Sequence, residues 1–248
     1  MDPLAPFLAR PAEAAMVVDF DGTLSPIVDV PADARPGPGA VEALAALVGR
    51  LGLVAVMSGR PVDFLAPLLP PGVVLSGLYG LEVVRDGRRI DDAGAGPWRD
   101  VVADVARVSR DRGPAGMVVE PKGLSLTLHY RTRPDLEDAV RAWAEGQGAR
   151  SGLEVRTAKM SVELHPPLPA DKGTALEALA GGMAAVAYVG DDRGDLPAYD
   201  ALDRLASRGV ATLRVAVAGA ETPAELVDRA DLVLDGPAAV VDLLRRLA

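Results

Sequence analysis

Cysteine is absent from the 248 residues of this chain, and histidine occurs only twice. A chain without cysteine forms no disulfide, no thiolate metal site and no thiol nucleophile, and this composition is expected of a cytoplasmic protein. Long hydrophobic runs are also missing, because the longest uncharged apolar stretch, residues 178–190, has about a dozen residues and is too short to cross a bilayer. Prolines interrupt the first 15 residues. We therefore expect no signal peptide and no membrane association.

Positive charge is scarce, since 26 lysines and arginines stand against 35 aspartates and glutamates, for a formal net charge of -9. This balance argues against nucleic acid as a partner. An acidic protein that binds an anion must build a local positive pocket, so the position of each lysine is informative. The 49% of hydrophobic residues is ample for a buried core. We also expect a monomer.

Apolar runs that end at polar or turn residues predict strands, and apolar residues at helical spacing predict the helices between them. The predicted strands are 16–18, 53–57, 73–75, a hairpin over 83–90, 185–189, 213–217 and 232–234, and the predicted helices are 41–48, 172–180, 196–208, 223–228 and 237–247. This alternation is typical of the α/β class. Right-handed crossovers would assemble one Rossmann-like parallel sheet core from residues 1–93 and 168–248.

The pattern changes between residues 94 and 167. The order there is helix 98–108, strands 117–120 and 124–130, helix 136–143, and strands 153–156 and 160–164. It predicts a small α+β module with one packed and one open sheet face. Segments rich in glycine or proline, residues 93–96 and 166–169, bracket the module and are typical of hinges. We therefore predict an inserted α+β domain at 94–167.

Two carboxylates follow the first predicted strand, where an open α/β sheet presents its ligand crevice. Asp19 and Asp21 are two positions apart, so on an extended chain both can face one reaction centre. Two carboxylates repel each other in a dry crevice, so a bound cation or a raised pKa on one of them is needed. Gly22 allows a tight turn, and the Thr23 hydroxyl is predicted to be free to bind an anion.

Further polar residues follow strands, or start a helix, of the same predicted sheet: Ser58, Lys172, Asp191, Asp192 and Asp195. The ends of parallel strands lie along one edge, so these residues can converge. Carboxylates without cysteine or paired histidines favour a hard cation such as Mg²⁺. A lysine, a serine and a helix N-terminus would bind phosphate oxygens. Together they predict phosphoryl transfer, although each residue alone is typical of a cap, a turn or a solvated surface.

Four motifs make the chain recognisable, and they resemble the signature motifs of haloacid dehalogenase (HAD) superfamily phosphatases. They are Asp19-Phe20-Asp21-Gly22-Thr23-Leu24, Ser58-Gly59-Arg60, Asp171-Lys172-Gly173 and Gly190-Asp191-Asp192. The resemblance covers nearly the whole chain, and it implies that the inserted module is a cap domain.

The resemblance also implies a role for each motif residue. Asp19 would be the nucleophile that forms an aspartyl-phosphate, and Asp21 would be the general acid and base. The remaining implied roles are phosphate binding by Ser58 and Lys172, substrate binding by Gly59 and Arg60, and Mg²⁺ binding by Asp19, the Asp21 backbone carbonyl, Asp191 and, directly or through water, Asp195.

Three further motifs in the inserted module narrow the family. The segments 120–122, 129–131 and 159–163 resemble cap motifs of trehalose-6-phosphate phosphatases. By that resemblance the sugar hydroxyls would be contacted by Glu120, Lys122, Arg131, Lys159 and Glu163. Mixed acidic and basic groups suit a polyol, because carboxylates accept from hydroxyls while lysines donate to them. A salt-bridged sheet face is the alternative interpretation.

The leading hypothesis is a Mg²⁺-dependent phosphatase that hydrolyses a small sugar phosphate, trehalose 6-phosphate, to trehalose and phosphate. One alternative keeps the mechanism and changes the leaving group, as in a glycosyl-phosphoglycerate phosphatase. A second is a signalling domain that accepts a phosphoryl group on an aspartate and keeps it. A third is a carbohydrate-binding relative without catalysis.

Overall fold

The computed structural model describes residues 2–91, 94–158, 160–219 and 222–248. It divides into two compact units, Met1–Ile90 with Ala170–Ala248, and Asp91–Pro169. In the described residues, no helix combines the length and the apolar character that crossing a bilayer requires.

The strands and helices are numbered in chain order. The strands are β1 Ala14–Asp19, β2 Leu53–Met57, β3 Val74–Gly77, β4 Glu82–Arg85, β5 Arg88–Asp91, β6 Val118–Pro121, β7 Leu126–His129, β8 Glu154–Ala158, β9 Ser161–His165, β10 Ala185–Gly190, β11 Ala211–Ala218 and β12 Leu232–Asp235. The helices are α1 Ala5–Ala9, α2 Ala40–Leu47, α3 Val62–Leu65, α4 Trp98–Arg112, α5 Glu137–Ser151, α6 Lys172–Leu179, α7 Leu196–Ser207, α8 Ala224–Arg229 and α9 Gly236–Leu247.

The large sheet has the strand order β12-β11-β10-β1-β2-β3-β4-β5 in the described part of the chain. Neighbouring strands from β12 to β3 are parallel, which confirms the α/β class and the parallel core. The predicted hairpin extends this parallel core at one edge, where β4 pairs antiparallel with β3. Only a short turn separates these two strands, and a parallel pairing would require a long crossover.

Helices cover both faces of this sheet, so its central strands are apolar on both sides. All of β1 is buried. Met16 and Val18 pack in one layer with α2 and α9, whereas Ala15 and Val17 pack in the other layer with α6 and α7. This two-sided burial explains why β1 is a continuous apolar run rather than an alternating one.

The second unit is a smaller antiparallel sheet with the order β6-β7-β9-β8. Leu126 and Leu128 of β7 and Val162 of β9 pack against α4 and α5. Side chains of the opposite face are polar, and the register places Glu120, Thr127 and Glu163 side by side across three strands. The predicted α+β composition is therefore observed, although β7 is shorter than predicted and α5 is longer.

Candidate active site

The carboxyl ends of β1, β2 and β10 lie next to one another, because Asp19 is in register with Met57 and Val18 with Val189. Asp19 is the last residue of β1, Ser58 directly follows β2, and Asp191 directly follows β10. A parallel sheet thus brings together three of the predicted site residues from distant parts of the sequence.

Lys172 joins this edge as the first residue of α6. The Asp171 side chain caps the helix by accepting from the Thr174 N–H at 2.7 Å. The Lys172 Nζ donates to Asp19 Oδ1 at 2.7 Å and to Asp195 Oδ1 at 2.6 Å, and all three side chains are buried. Burial disfavours the charged ammonium, but the charges of Asp19 and Asp195 outweigh burial and raise the pKa of Lys172. Lys172 is therefore a fixed buried cation.

Asp195 is fully buried and accepts hydrogen bonds on both carboxylate oxygens. Besides Lys172, its Oδ1 accepts from the Tyr188 hydroxyl at 2.6 Å, and its Oδ2 accepts from the backbone N–H groups of Asp191 and Asp192 at 2.8 and 3.0 Å. Burial opposes ionisation, but Lys172 and these backbone donors lower the pKa of Asp195. The carboxylate thus holds Lys172 and the turn after β10 in place. The sequence analysis did not identify Tyr188.

Asp191 is held by a residue whose role the sequence analysis predicted wrongly. The Thr23 hydroxyl is not free for an anion, because it donates to Asp191 Oδ1 at 2.9 Å. Gly22 has φ +80°, and a side chain there would overlap the Asp191 carboxylate. Glycine is required at this position on both counts.

Asp19, Asp191 and Asp195 each offer an oxygen, and these oxygens lie within 4.8 Å of one another. Burial and the charges of Asp195 and Asp192 raise the pKa of Asp191 to about 7. Burial also raises the pKa of Asp19. The positive charge of Lys172 lowers this pKa, but it offsets only part of the effect of burial and of the neighbouring carboxylates. Such mutually repelling oxygen donors fit a hard divalent cation, which would neutralise them. The Asp21 side chain does not belong to this group of carboxylates.

Asp21 is instead paired with Arg60. The Arg60 Nε and a terminal nitrogen each donate to one Asp21 oxygen at 2.7 Å, a bidentate geometry that fixes the plane of the carboxylate. The guanidinium also lies 4.2 Å from the centre of the Phe64 ring and donates to the Pro31 carbonyl at 2.8 Å. Arg60, predicted to bind substrate, thus contacts the predicted acid and base.

Ser58 is buried, and its Oγ accepts from the Arg60 N–H at 3.1 Å. As an acceptor from the backbone, the hydroxyl keeps its own proton for another partner. Gly59 lies between these two residues in the turn that follows β2. The structure therefore places the whole predicted Ser58-Gly59-Arg60 motif at the same sheet edge as Asp19.

A second polar cluster lies on the polar face of the smaller sheet. Glu163 Oε1 accepts from Lys122 Nζ at 3.0 Å and from the Thr127 hydroxyl at 3.1 Å, and Glu163 Oε2 lies 2.9 Å from His165 Nε2. Burial opposes ionisation of Glu163, but His165 and Lys122 outweigh it and lower the pKa of this carboxyl. The structure thus brings predicted sugar-binding residues Lys122 and Glu163 into direct contact.

The other predicted sugar-binding residues are placed less closely. Glu120 Oε2 lies 2.7 Å from His129 Nε2 on the same face. Arg131 is exposed in the turn after β7, and Lys159 lies outside the described residues. Both histidines are hydrogen-bonded to carboxylates. Their partners were not predicted. The His129–Glu120 contact depends on the register of β6 and β7, whereas His165 and Glu163 are two positions apart on the same face of β9.

The chain matches a family model described as trehalose-phosphatase over residues 17–229. It is 36% identical over 247 residues to the trehalose-phosphate phosphatase of Mycobacterium avium (strain 104), covering 94% of this chain and 62% of that protein. It is also 34% identical over 253 residues to the trehalose-phosphate phosphatase of Mycobacterium leprae (strain TN), covering 95% and 58%. The chain thus spans less than two thirds of the length of these curated relatives.

A solved structure described as a trehalose-6-phosphate phosphatase related protein resembles this chain with a TM-score of 0.80 and 22% identity, covering 94% of this chain and 96% of that one. At that identity the likeness shows the fold alone, in agreement with the α/β class described above. The family model, however, matches far more than half of the chain, and it includes Asp19, Ser58, Lys172 and Asp191. The chain belongs to the trehalose-phosphatase family.

Proposed function

We propose that this protein hydrolyses trehalose 6-phosphate to trehalose and inorganic phosphate, with Mg²⁺ as its cofactor. The observation that carries the proposal is the buried Asp19–Lys172–Asp195 chain beside Asp191, in a member of the trehalose-phosphatase family. Its partner is then a small sugar phosphate and not a nucleic acid, in agreement with the net charge of -9.

Asp19 and Asp191 would hold the Mg²⁺, with Asp195 directly or through water and the Asp21 backbone carbonyl as further ligands. When bound, the ion neutralises phosphate oxygens and the carboxylates around them. Asp195 carries four hydrogen bonds already, which supports a role in holding Lys172 and the 191–192 backbone. The charge and the oxygen donors favour Mg²⁺ over softer metals.

The phosphate group would be bound by Lys172, Ser58 and the Gly59 backbone. An ammonium has three N–H donors, and two of those on Lys172 are used by Asp19 and Asp195, so one remains for a phosphate oxygen. Lys172 also holds Asp19 Oδ1, which orients the carboxylate for attack. The same cation therefore positions the nucleophile and offsets its repulsion of the phosphate.

The reaction would proceed in two displacements at phosphorus. An Asp19 oxygen bonds to phosphorus while the bond to the sugar oxygen breaks, and Asp21 donates a proton to that oxygen. A water molecule then attacks the phosphorus and gives a proton to Asp21, and the bond to Asp19 breaks. Both Asp21 oxygens contact Arg60 in the resting structure, so one of them must leave the guanidinium when Asp21 is protonated.

We further propose that residues 94–167 act as a cap domain that binds the disaccharide through Lys122, Glu120, Glu163, Lys159 and Arg131. Lys122 and Glu163 are partly buried and contact each other, and together they offer a donor and an acceptor that suit the hydroxyls of a polyol. In this proposal, residues of the core catalyse phosphoryl transfer, and residues of the second unit determine which sugar the enzyme accepts.

A panel of phosphate esters tests the proposal. Phosphate release is measured with trehalose 6-phosphate, glucose 6-phosphate, a glycosyl-phosphoglycerate and an aryl phosphate, each with and without Mg²⁺. We expect the highest kcat/KM with trehalose 6-phosphate and no turnover after chelation. A preference for the glycerate ester would show that trehalose 6-phosphate is not the substrate. A stable phosphoprotein without turnover would indicate a signalling domain.

A further inference from the structure

The turn after β3 is bound to the turn after β2 by several hydrogen bonds. We call residues 58–62 the phosphate loop and residues 76–82 the crossing segment. The bonds run from Ser58 N–H to Ser76 O at 2.9 Å, from Leu78 N–H to Arg60 O at 3.0 Å, from Tyr79 N–H to Ser58 O at 3.2 Å, and from Val62 N–H to Glu82 Oε2 at 3.0 Å. The crossing segment therefore fixes the backbone of the phosphate loop along its whole length.

The crossing segment adopts an unfavourable backbone conformation. Leu78 and Tyr79 have φ values of +49° and +59°, in the left-handed region that non-glycine residues rarely adopt. Such strain persists only where the surrounding structure enforces it, and it concentrates at functional sites. Leu78 is buried, whereas Tyr79 is only partly buried. Neither residue belongs to a hydrophobic cluster in the described part of the chain.

The Tyr79 ring lies directly against the phosphate loop. A Cβ placed on Gly59 would lie 2.7 Å from the Tyr79 Oη and 2.8 Å from its Cζ, and the nearest atoms are all from this ring. Gly59 does not have a positive φ, so its backbone would accept another residue. The close approach of the Tyr79 ring therefore explains why residue 59 is a glycine.

The same turn also contacts the helix that carries Lys172. Gly80 packs so closely on α6 that a Cβ there would lie 2.7 Å from the Cβ of Ala175. Residues 79 and 80 thus contact both elements that supply the proposed phosphate-binding groups, the phosphate loop and α6. Neither contact depends on the smaller sheet.

We propose that Tyr79 is a positioning residue of the phosphate site, whose ring holds Ser58 and Gly59 in the conformation that binds the phosphate group. The inference rests on the proposed function in that it takes this loop as the phosphate-binding loop. Tyr79 acts on every phosphate ester alike, because the phosphate is common to all of them. It acts through its ring. The unfavourable left-handed backbone of Tyr79 is the conformation that places this ring over Gly59.

Three substitutions of Tyr79 test the role, read out by calorimetric binding of inorganic phosphate in the presence of Mg²⁺. Tyr79→Ala and Tyr79→Gly should weaken phosphate binding by about tenfold or more, and Tyr79→Phe, which keeps the ring, should stay within about threefold of wild type. Tyr79→Gly also relieves the left-handed strain, so its Tm should equal or exceed that of Tyr79→Ala. If Tyr79→Gly is at least as stable as Tyr79→Ala and still binds phosphate poorly, the loss of binding reflects the missing ring and not a loss of folding.

A double-mutant cycle with Gly59→Ala makes the test specific to the contact. Gly59→Ala alone should weaken phosphate binding by about tenfold, because the new methyl group displaces the ring. In the Tyr79→Ala background the same change should cost less than about threefold, since the ring is gone. Equal losses in both backgrounds would overturn the proposal, as would wild-type phosphate binding by Tyr79→Ala and Tyr79→Gly.

Two further outcomes are informative. If Tyr79→Phe binds phosphate as poorly as Tyr79→Ala, the hydroxyl contacts the ligand and the positioning role is rejected. If wild-type protein binds phosphate with the expected pattern of variants but does not hydrolyse trehalose 6-phosphate, the proposed function fails and the role of Tyr79 stands. The binding assay needs no turnover, so the two failures are distinguishable.

Discussion

Lys172 contacts two carboxylates at once. Its ammonium is enclosed by Asp19 and Asp195, and the three charged groups are almost completely buried. Removing one member of such a group leaves an uncompensated buried charge, which is strongly destabilising. The three residues therefore act as a unit, and the effects of substituting them are not expected to be additive.

Asp19→Asn removes the proposed nucleophile while keeping an oxygen that can accept from Lys172. We expect kcat with trehalose 6-phosphate to fall by about 10³-fold or more, because an amide does not attack phosphorus. Phosphate release is the measurement, and circular dichroism checks that the variant is folded. A rate within tenfold of wild type would reject Asp19 as the nucleophile. Asp29→Asn, in the exposed loop after β1, is the matched control and should retain full activity.

Arg60→Lys keeps a positive charge near Asp21 but loses the planar pair of donors. The Asp21 carboxylate should then be poorly oriented for proton transfer, and we expect kcat to fall by about tenfold with a smaller change in KM. Steady-state kinetics with trehalose 6-phosphate measure both constants. Arg35→Lys is the control, because Arg35 in the neighbouring loop bonds only to backbone carbonyls of Ala32 and Ala34 in the described structure. Equal losses in both variants would contradict a specific role of Arg60.

At the scale of elements, the sequence predicted where strands end more successfully than which side chains meet. The apolar runs before Asp19, Ser58 and Asp191 are local signals, and the rule that parallel strands end along one edge brought these residues together. The Thr23–Asp191 bond joins residues 168 positions apart, and it depends on how closely two loops approach. No local pattern contains that distance, so the Thr23 hydroxyl was wrongly expected to be free.

The antiparallel strand β4 is a second case in which a local pattern predicted an element but not its contacts. The hairpin itself was predicted, because a turn of Asp86 and Gly87 separates two short arms. Its attachment to the edge of the parallel sheet was not predicted. That attachment depends on the crossing segment, whose left-handed residues Leu78 and Tyr79 reverse the chain after β3. Gly77 and Gly80 flank these residues and signal a turn, but neither Leu78 nor Tyr79 is a residue type that usually adopts the left-handed conformation.

Lys122→Ala tests whether the smaller sheet binds the sugar part of the substrate. It removes an ammonium that contacts Glu163 on the polar face of the smaller sheet. If this face binds the disaccharide, KM for trehalose 6-phosphate should rise by about 10- to 100-fold, the usual effect of losing a hydrogen bond from a charged group. KM for a small aryl phosphate should change less than about threefold, because that substrate has no sugar hydroxyls.

The control for this prediction is Arg107→Ala, on helix α4 of the same unit. Arg107 is exposed and pairs with Asp104 and Asp111 on its own helix. Its substitution should leave KM unchanged for both substrates. An equal loss on the sugar and aryl substrates in Lys122→Ala would place Lys122 outside the sugar site.

At the scale of the whole molecule, the acidic composition predicts that a bound cation would stabilise the folded protein. The net charge is -9, and Asp19, Asp191, Asp192 and Asp195 lie together around Lys172 at one edge of the sheet. The pKa of Asp191 is raised to about 7 by burial and by its neighbours, so its negative charge is unfavourable in the metal-free protein. A cation that relieves this repulsion would bind the folded chain in preference to the unfolded chain.

Mg²⁺ should therefore raise Tm, by roughly 5–10 °C at about 100 times its dissociation constant for a protein of this size. Asp191→Asn should remove the shift, and in a chelator its Tm should equal or exceed that of wild type, because the substitution also removes an unfavourable buried charge. Thr23→Val should give an intermediate shift, since the loss of a bond that orients a metal ligand weakens binding by about 10- to 100-fold. Differential scanning calorimetry measures all three, with NaCl of equal ionic strength as the control. A full Mg²⁺ shift in Asp191→Asn would show that the ion binds elsewhere on the acidic surface.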